Sequence, residues 1–248
     1  MSLSHISKHS LAGKVLRFPL RFVPAQMPIL RGRSRGMKWI VGSGSGAHGF
    51  WLGTFEAKER AIFEDTVRKG SVVFDIGASA GFYTLLASVL VGDGGRVFAF
   101  EPLPGNLVFL KRHLKLNGIA NVVVIEAAVA EHSGVDFFEE TSNLSMGHLS
   151  AQGSLEVKTV SLDDLFSRNE IPVPDCVKID VEGAEASVLR GARKILENHR
   201  PAILLATHGR AQHEECVQFL ESLGYSVQVL SDSRNALGEM RGAIFARR

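Results

Sequence analysis

Apolar and polar positions along this chain switch between two periods. SVVFDI (71–76) is a short β-branched and aromatic run ending at an acid, and RVFAFE (96–101) is a second such run ending on a carboxylate. Between them FYTLLASVLV (82–91) is apolar beyond strand length and reads as a buried helix, set off by the breakers GASAG and GDGG. The three pieces predict a strand, crossover helix, strand unit, whose ligand edge is the carboxyl end of the strands. PLPGNLVFLKRHLKLNG follows as a helix, with Pro near its start and Asn-Gly at its end. NVVVIEAAVAE (121–131) reads as a third strand, its near-continuous apolar run predicting burial on both faces.

GVDFFEE (134–140) and LEVKTV (155–160) alternate and are expected to form an antiparallel insertion around a polar loop. Ser161 with Asp164 makes an Asp variant of a capping box for the short helix LDDLF. DCVKIDVEGAE is a fourth core strand, running into a helix that spans 184–196. PAILLATHG is a fifth strand, AQHEECVQFLESLG an amphipathic helix, and YSVQVL and GAIFAR a sixth and seventh strand. Upstream, the glycine-rich 37–54 is expected to form a hairpin or flap before a helix over 55–69. Its Trp39 and Trp51 either cap the core or belong to a lid. The whole is an α/β chain with a doubly wound, mostly parallel seven-stranded sheet and an antiparallel edge. Residues 1–54 are read as an extension and flap, and 55–248 as the ligand-binding domain.

Composition changes this picture little. The 248 residues, 45% hydrophobic and 22% charged, suit one sizeable core rather than two. Charge is more informative, because eight Lys and Arg precede the first acid, Glu56, while the whole chain carries only +2. The body is therefore acidic, which argues against a nucleic-acid groove in it, and the basic amino-terminal arm is either a solvated extension or a patch for an anionic surface or partner. That arm shares its lack of acids with organelle transit peptides and has no continuous apolar core of a secretory signal. No run is long enough to cross a bilayer. Cys176 and Cys216 fit no metal spacing or disulfide framework, so a cytoplasmic location is expected.

The glycines of the first unit select its ligand. From Gly77 a dinucleotide fingerprint needs Gly at 79 and Gly or Ala at 82, where the chain has Ser79 and Phe82; a phosphate-cradling Gly-Lys-Ser/Thr is also missing. What remains is D-x-G-x-x-x-G with Asp75, Gly77 and Gly81. Gly77, Ala78 and Gly81 are expected to let a ligand approach the backbone, and Asp75 suits a cationic group. Glu101, 24 residues beyond Gly77, is placed for two ribose hydroxyls. Glu126 and Ala127 are expected along an adenine edge. An adenosine carrying an amino acid and a sulfonium meets these demands, which points to S-adenosylmethionine.

At this point the chain resembles the FkbM-type methyltransferases. The resemblance is carried by FWLGTFE (50–56), VVFDIGASAGFYTLLAS (72–88), GRVFAFEPLPGN (95–106), AAVAEHSG (127–134), VKTVSLDDL (157–165), VKIDVEGAEASVLRGA (177–192) and RPAILLATHG (200–209), in family order. It implies a class I, Rossmann-like methyltransferase fold and S-adenosylmethionine as donor, with Phe82, Pro102 and Asn106 added to the cofactor set. It also implies an acceptor oxygen on a sugar, glycolipid or secondary metabolite. The loop residues Asn143, Ser145 and His148 are implied to border that acceptor. The chain departs from the family at Ala206, where an acid is common before the Val/Ile-His pair.

Methyl transfer needs an aligned acceptor and a group to take its proton. Strand alternation puts Lys178 and Asp180 on one face, with Glu182 and Glu185 just beyond. Asp180 is the first choice for the acceptor-side acid or base, Lys178 a second, and His208, ending the fifth strand, a rival base. Asp180, Glu182 and His208 are alternatively a hard-ligand set for a divalent metal. N-methylation of a macromolecule and a cofactor-binding module without catalysis remain the competing functions, and a nicotinamide oxidoreductase is disfavoured by the missing glycines.

Overall fold

The computed structural model describes residues 25–44, 48–140, 147–149, 155–234 and 240–248. β1 (Gln26–Pro28) pairs antiparallel with β2 (Lys38–Ile40), and two helices follow, α1 (Gly49–Leu52) and α2 (Ala57–Thr66). The first unit forms as read: β3 (Val72–Ile76), α3 (Phe82–Val91) and β4 (Arg96–Phe100), then α4 (Pro104–Leu116) and β5 (Val122–Ile125). A second sheet intervenes, built from β6 (Ala128–Val129), β7 (Gly134–Glu140), β8 (Gly147–Leu149) and β9 (Leu155–Val160), and α5 (Leu162–Ser167) leaves it. The chain returns through β10 (Cys176–Ile179), α6 (Glu185–Gly191), α7 (Arg193–His199), β11 (Ala202–His208) and α8 (Arg210–Ser222), and ends on β12 (Ser226–Arg234) and β13 (Met240–Arg247).

The main sheet has the order β12-β13-β11-β10-β3-β4-β5, with β13 antiparallel to both its neighbours. After β5 the chain comes back to lay β10 beside β3, so the order reverses between those strands. Their carboxyl ends therefore adjoin, with Lys178 opposite Asp75 and Ile179 opposite Ile76. Helices cover both faces. Phe74, Phe100, Val177, Ile203 and Leu205 pack on α6, α7 and α8, while Val73, Val97 and Leu204 pack with α3, Trp39, Phe50, Trp51 and Phe63.

Five local expectations are corrected. The third strand stops at Ile125, and Ala128–Val129 leaves for the second sheet as β6. β5 is the edge strand, so Val123 is exposed rather than buried on both faces. The helix expected over 184–196 ends at Gly191, where a Cβ would stand 2.1 Å from the Ala130 carbonyl oxygen, and restarts at Arg193. The capping box is half formed: Ser161 Oγ accepts from the Asp164 N–H at 3.4 Å, but the Asp164 carboxylate takes the Ser133 hydroxyl instead of reaching back. Upstream, β2 finds its partner in 26–28 rather than within 37–54, and Trp39 and Trp51 are buried against α3.

Candidate active site

At the strand reversal a buried ion pair forms the floor of the site. Asp75 is fully buried, and its Oδ2 accepts the Thr84 hydroxyl at 2.6 Å. Lys178 Nζ lies 3.6 Å from Asp75 Oδ1 and 3.5 Å from Asp180 Oδ2, with the Tyr83 ring centroid 5.1 Å away. Burial pulls the Lys178 ammonium down, but Asp180, Asp75 and Glu56 together outweigh it and hold its pKa above the ordinary value. The two carboxylates thus favour the ammonium form of Lys178 and put a positive charge on the floor of the site. Burial pushes Asp75 up, opposed by Lys178 and Thr84. The Asp75 charge is met by a protein cation, so Asp180, which is only partly buried, is the carboxylate of this pair that faces the cleft.

Beside the floor, the turn Gly77–Gly81 ties β3 to β4: the N–H groups of Gly77 and Ala78 both donate to the Phe100 carbonyl at 3.0 Å. Gly77 has φ +77°, and a Cβ there would sit 1.9 Å from the Asp180 carbonyl oxygen; one at Gly81 would sit 2.5 Å from Leu110 Cδ1. Backbone packing thus excludes a side chain at Gly77, whereas at Gly81 the neighbour is the movable end of Leu110 and the φ of +96° is what favours glycine. Glu101, at the end of β4, is buried and accepts from Ser79 N (2.7 Å), Leu103 N (2.9 Å) and Asn106 Nδ2 (3.1 Å). Burial raises its pKa, and those three donors oppose the rise. A carboxylate has about four acceptor positions, so one remains for a ribose hydroxyl, and a grip on two hydroxyls requires one present donor to yield. Pro102 is half-buried between Glu101 and Leu103, and Phe82 lies inside the aromatic group of Trp39, Phe50 and Phe55. Glu126 is exposed in an ion pair with Lys111 at 2.7 Å, and Ala127 is buried beside it.

The turn is pinned from behind by His113. The Ile40 N–H donates to His113 Nε2 at 2.9 Å, so Nδ1 carries the proton and donates to the Ala80 carbonyl at 2.8 Å. The ring stacks on Trp39 with centroids 4.0 Å apart.

Above the floor opens a cleft of about 390 Å³, lined by Glu56, Tyr83, Lys178, Asp180, Glu182 and His208 among others. Ala206 is on its wall, so β11 places a methyl group where the family's acid is expected. His208 Nδ1 lies 2.7 Å from Glu185 Oε1, while Nε2 is 3.3 Å from Glu182 Oε2 and 3.8 Å from Asp180 Oδ1. Burial lowers the His208 pKa, but Glu185, Asp180 and Glu182 more than reverse this and leave it raised. The same three carboxylates hold the His208 ring at the cleft wall and favour its charged form.

Glu56 was not singled out by sequence reasoning, although it closes the stretch FWLGTFE. It precedes α2 at φ 42°, and its Oε2 accepts the Tyr83 hydroxyl at 2.9 Å. Burial and then Asp180 push its pKa up to about 7, against the pull of Lys178 and Tyr83. Asn143, Ser145 and residues 1–24 lie outside the described residues, and His148 is placed in β8 opposite Glu139.

A sheet reversing between β3 and β10, with a glycine turn and acids at its carboxyl edge, defines a class I, Rossmann-like methyltransferase fold. Solved structures agree: precorrin-6y C5,15-methyltransferase from Geobacter metallireducens superimposes with TM-score 0.51 at 21% identity, covering 76% of this chain and 87% of that one. Methyltransferase FkbM from Methylobacillus flagellatus gives 0.51 at 16% identity, covering 81% and 53%.

Residues 75–227 match the Methyltransferase FkbM domain, and the chain belongs to that family. Among curated relatives, the hexuronic acid methyltransferase AglP of Haloferax volcanii is 26% identical over 178 residues, 71% of this chain and 72% of that protein. The 31-O-demethyl-FK506 methyltransferase FkbM of Streptomyces tacrolimicus is 28% identical over 159 residues, 50% of this chain and 60% of that protein. The protein is a methyltransferase. Among the described residues no helix is long and apolar enough to cross a membrane.

Proposed function

We propose that this enzyme methylates a hydroxyl of a sugar or sugar-like acceptor, with S-adenosylmethionine as donor. The observation that carries the reading is the cleft itself, whose lining joins Lys178, Asp180 and Glu56, with Lys178 Nζ 3.5 Å from the Gly77 carbonyl of the glycine turn. The relative named as a hexuronic acid methyltransferase supports a sugar acceptor. The cofactor residues fit the donor in part: Glu101 retains one acceptor position for a ribose hydroxyl, with Asn106 and the Ser79 N–H as the donors that exchange when a second arrives.

When bound, S-adenosylmethionine would supply an electrophilic methyl on a sulfonium, whose sulfur would keep the C–S electron pair as a neutral thioether while the acceptor oxygen gains the methyl. Asp180 accepts a hydrogen bond from the acceptor hydroxyl and orients it. Glu56 takes the proton, because a carboxyl with a pKa of about 7 is populated as a base at neutral pH and releases the proton readily afterwards. Lys178 stays an ammonium and stabilises negative charge developing on the acceptor oxygen.

Titration calorimetry with S-adenosylmethionine and with its demethylated product tests the donor, and absence of binding by either at millimolar concentration refutes it. Mass spectrometry of sugar acids and glycans incubated with methyl-labelled donor tests the acceptor. Asp180→Asn is expected to retain donor binding and lose turnover; loss of both together would assign Asp180 to the donor site.

A further inference from the structure

The geometry points to a divalent-cation site at Asp180, Glu182 and His208, one oxygen or nitrogen from each. These three ligand atoms all lie within 4.8 Å of one another. They come from the end of β10, the turn after it and the end of β11, all on the wall of the cleft. Around an octahedral ion with bonds of about 2.1 Å, neighbouring ligand atoms stand about 3 Å apart and opposite ones about 4.2 Å. His208 Nε2 is 3.3 Å from Glu182 Oε2 and 3.8 Å from Asp180 Oδ1, so these two pairs need to close by less than about 1 Å to flank such an ion as neighbouring ligands. A proton shared directly between Nε2 and a carboxylate would draw the pair to about 2.7–2.9 Å. Both carboxylates instead stand farther off.

A second observation comes from the other side of the ring. Glu185 is fully buried, its Oε1 takes the Gly183 N–H at 2.9 Å and faces His208 Nδ1 at 2.7 Å, and its Oε2 has no hydrogen-bond partner among the described residues. A buried carboxylate at this distance orients the ring through Nδ1 and leaves Nε2 facing Asp180 and Glu182, free to bind a cation once its proton is displaced. That is the arrangement by which a carboxylate orients and strengthens a metal-binding histidine. The donor set is two carboxylates and one imidazole with no thiolate, a set compatible with Mg²⁺ or Mn²⁺. Open positions on the ion face the cleft. The acceptor it selects offers two adjacent oxygens, a vicinal diol or the hydroxyl and carboxylate of a sugar acid; this last step rests on the methyl-transfer reading.

The test is Mn²⁺ binding to the full chain, followed by electron paramagnetic resonance and calorimetry without any acceptor, with Mg²⁺ as competitor. One Mn²⁺ per chain is expected, displaced by Mg²⁺. Glu182→Gln and His208→Ala are each expected to weaken it at least about tenfold, and Glu185→Gln by about 10–100-fold through the ring it orients. No uptake by the wild type at millimolar Mn²⁺, or an affinity unchanged in all three variants, overturns the site. The wild-type titration decides even where a variant does not fold. S-adenosylmethionine binding in the presence of a chelator, without Mn²⁺ uptake, overturns the cation site and leaves methyl transfer standing. Mn²⁺ held by these residues in a protein that binds no S-adenosylmethionine upholds the site and overturns the methyl-transfer reading.

Discussion

Tyr83→Phe isolates the contact that tunes Glu56. The substitution keeps the ring against Phe63 and Phe82 and under the Lys178 ammonium, and removes only the hydroxyl that donates to Glu56 Oε2 at 2.9 Å. A hydrogen bond to a charged group contributes about 1.5–3 kcal/mol, and 1.36 kcal/mol corresponds to about one pKa unit. Glu56 borders an open cleft, so water recovers part of the loss; a rise of about one unit, from about 7 to about 8, is expected. At pH 7 the carboxylate fraction then falls from about one half to about one tenth, a roughly fivefold loss of base that disappears in alkali. Carbon-13 NMR of protein labelled at the glutamate carboxyls measures this directly, using Glu56→Gln to assign the resonance. The same variant carries a stability signature. Glu56's folded pKa lies above its ordinary 4.5, so its contribution is full below pH 4.5 and is lost as pH rises through about 7. Glu56→Gln, which mimics the protonated form, is expected to be more stable than wild type above pH 7, by about 1–2 kcal/mol after discounting for partial exposure. The reasoning fails if no carboxyl absent from Glu56→Gln titrates between about 6 and 8, or if Tyr83→Phe leaves that resonance unshifted.

Three further outcomes are expected. Gly77→Ala places a Cβ 1.9 Å from the Asp180 carbonyl oxygen at φ +77°, so chemical denaturation is expected to show a loss above about 3 kcal/mol, or no folded protein. Lys178→Met strands the Asp75 carboxylate in the core at a cost of about 3–5 kcal/mol, and adding Asp75→Asn is expected to restore most of it; equal stability of the single and double variants would refute the pairing. Burial lowers the His113 pKa, so its share of stability is complete above about pH 6.5 and is lost as pH falls below that value. Melting temperatures of wild type and His113→Gln at pH 7.5 and 5 are expected to diverge accordingly.

The frame of the fold was legible because β3, β4, β10 and β11 are short apolar runs between strong breakers, and alternation alone placed Lys178 and Asp180 together. Chemistry that depends on distant partners was not. Glu56 meets Tyr83 across a 27-residue separation, and only the packing of α2 on the sheet raises its pKa. Glu185 reads as an acid at a helix start, and only the approach of β11 makes it a partner of His208. Gly77 was expected to make room for a ligand, whereas the nearest obstruction is the backbone of β10, which strand order alone brings there. β1 and β2, three residues each, carry too little periodicity for their pairing to be foreseen.

That small ribbon has a practical consequence through His113. Because one imidazole takes the Ile40 N–H and gives its own to the Ala80 carbonyl, the glycine turn and the amino-terminal ribbon are bridged by a single side chain. A fragment trimmed to begin near residue 55, where the glycine-rich stretch invites a boundary, would therefore keep every residue of the glycine motif and still lose the support behind Ala80. Any minimal catalytic unit cut from this chain has to start ahead of β1.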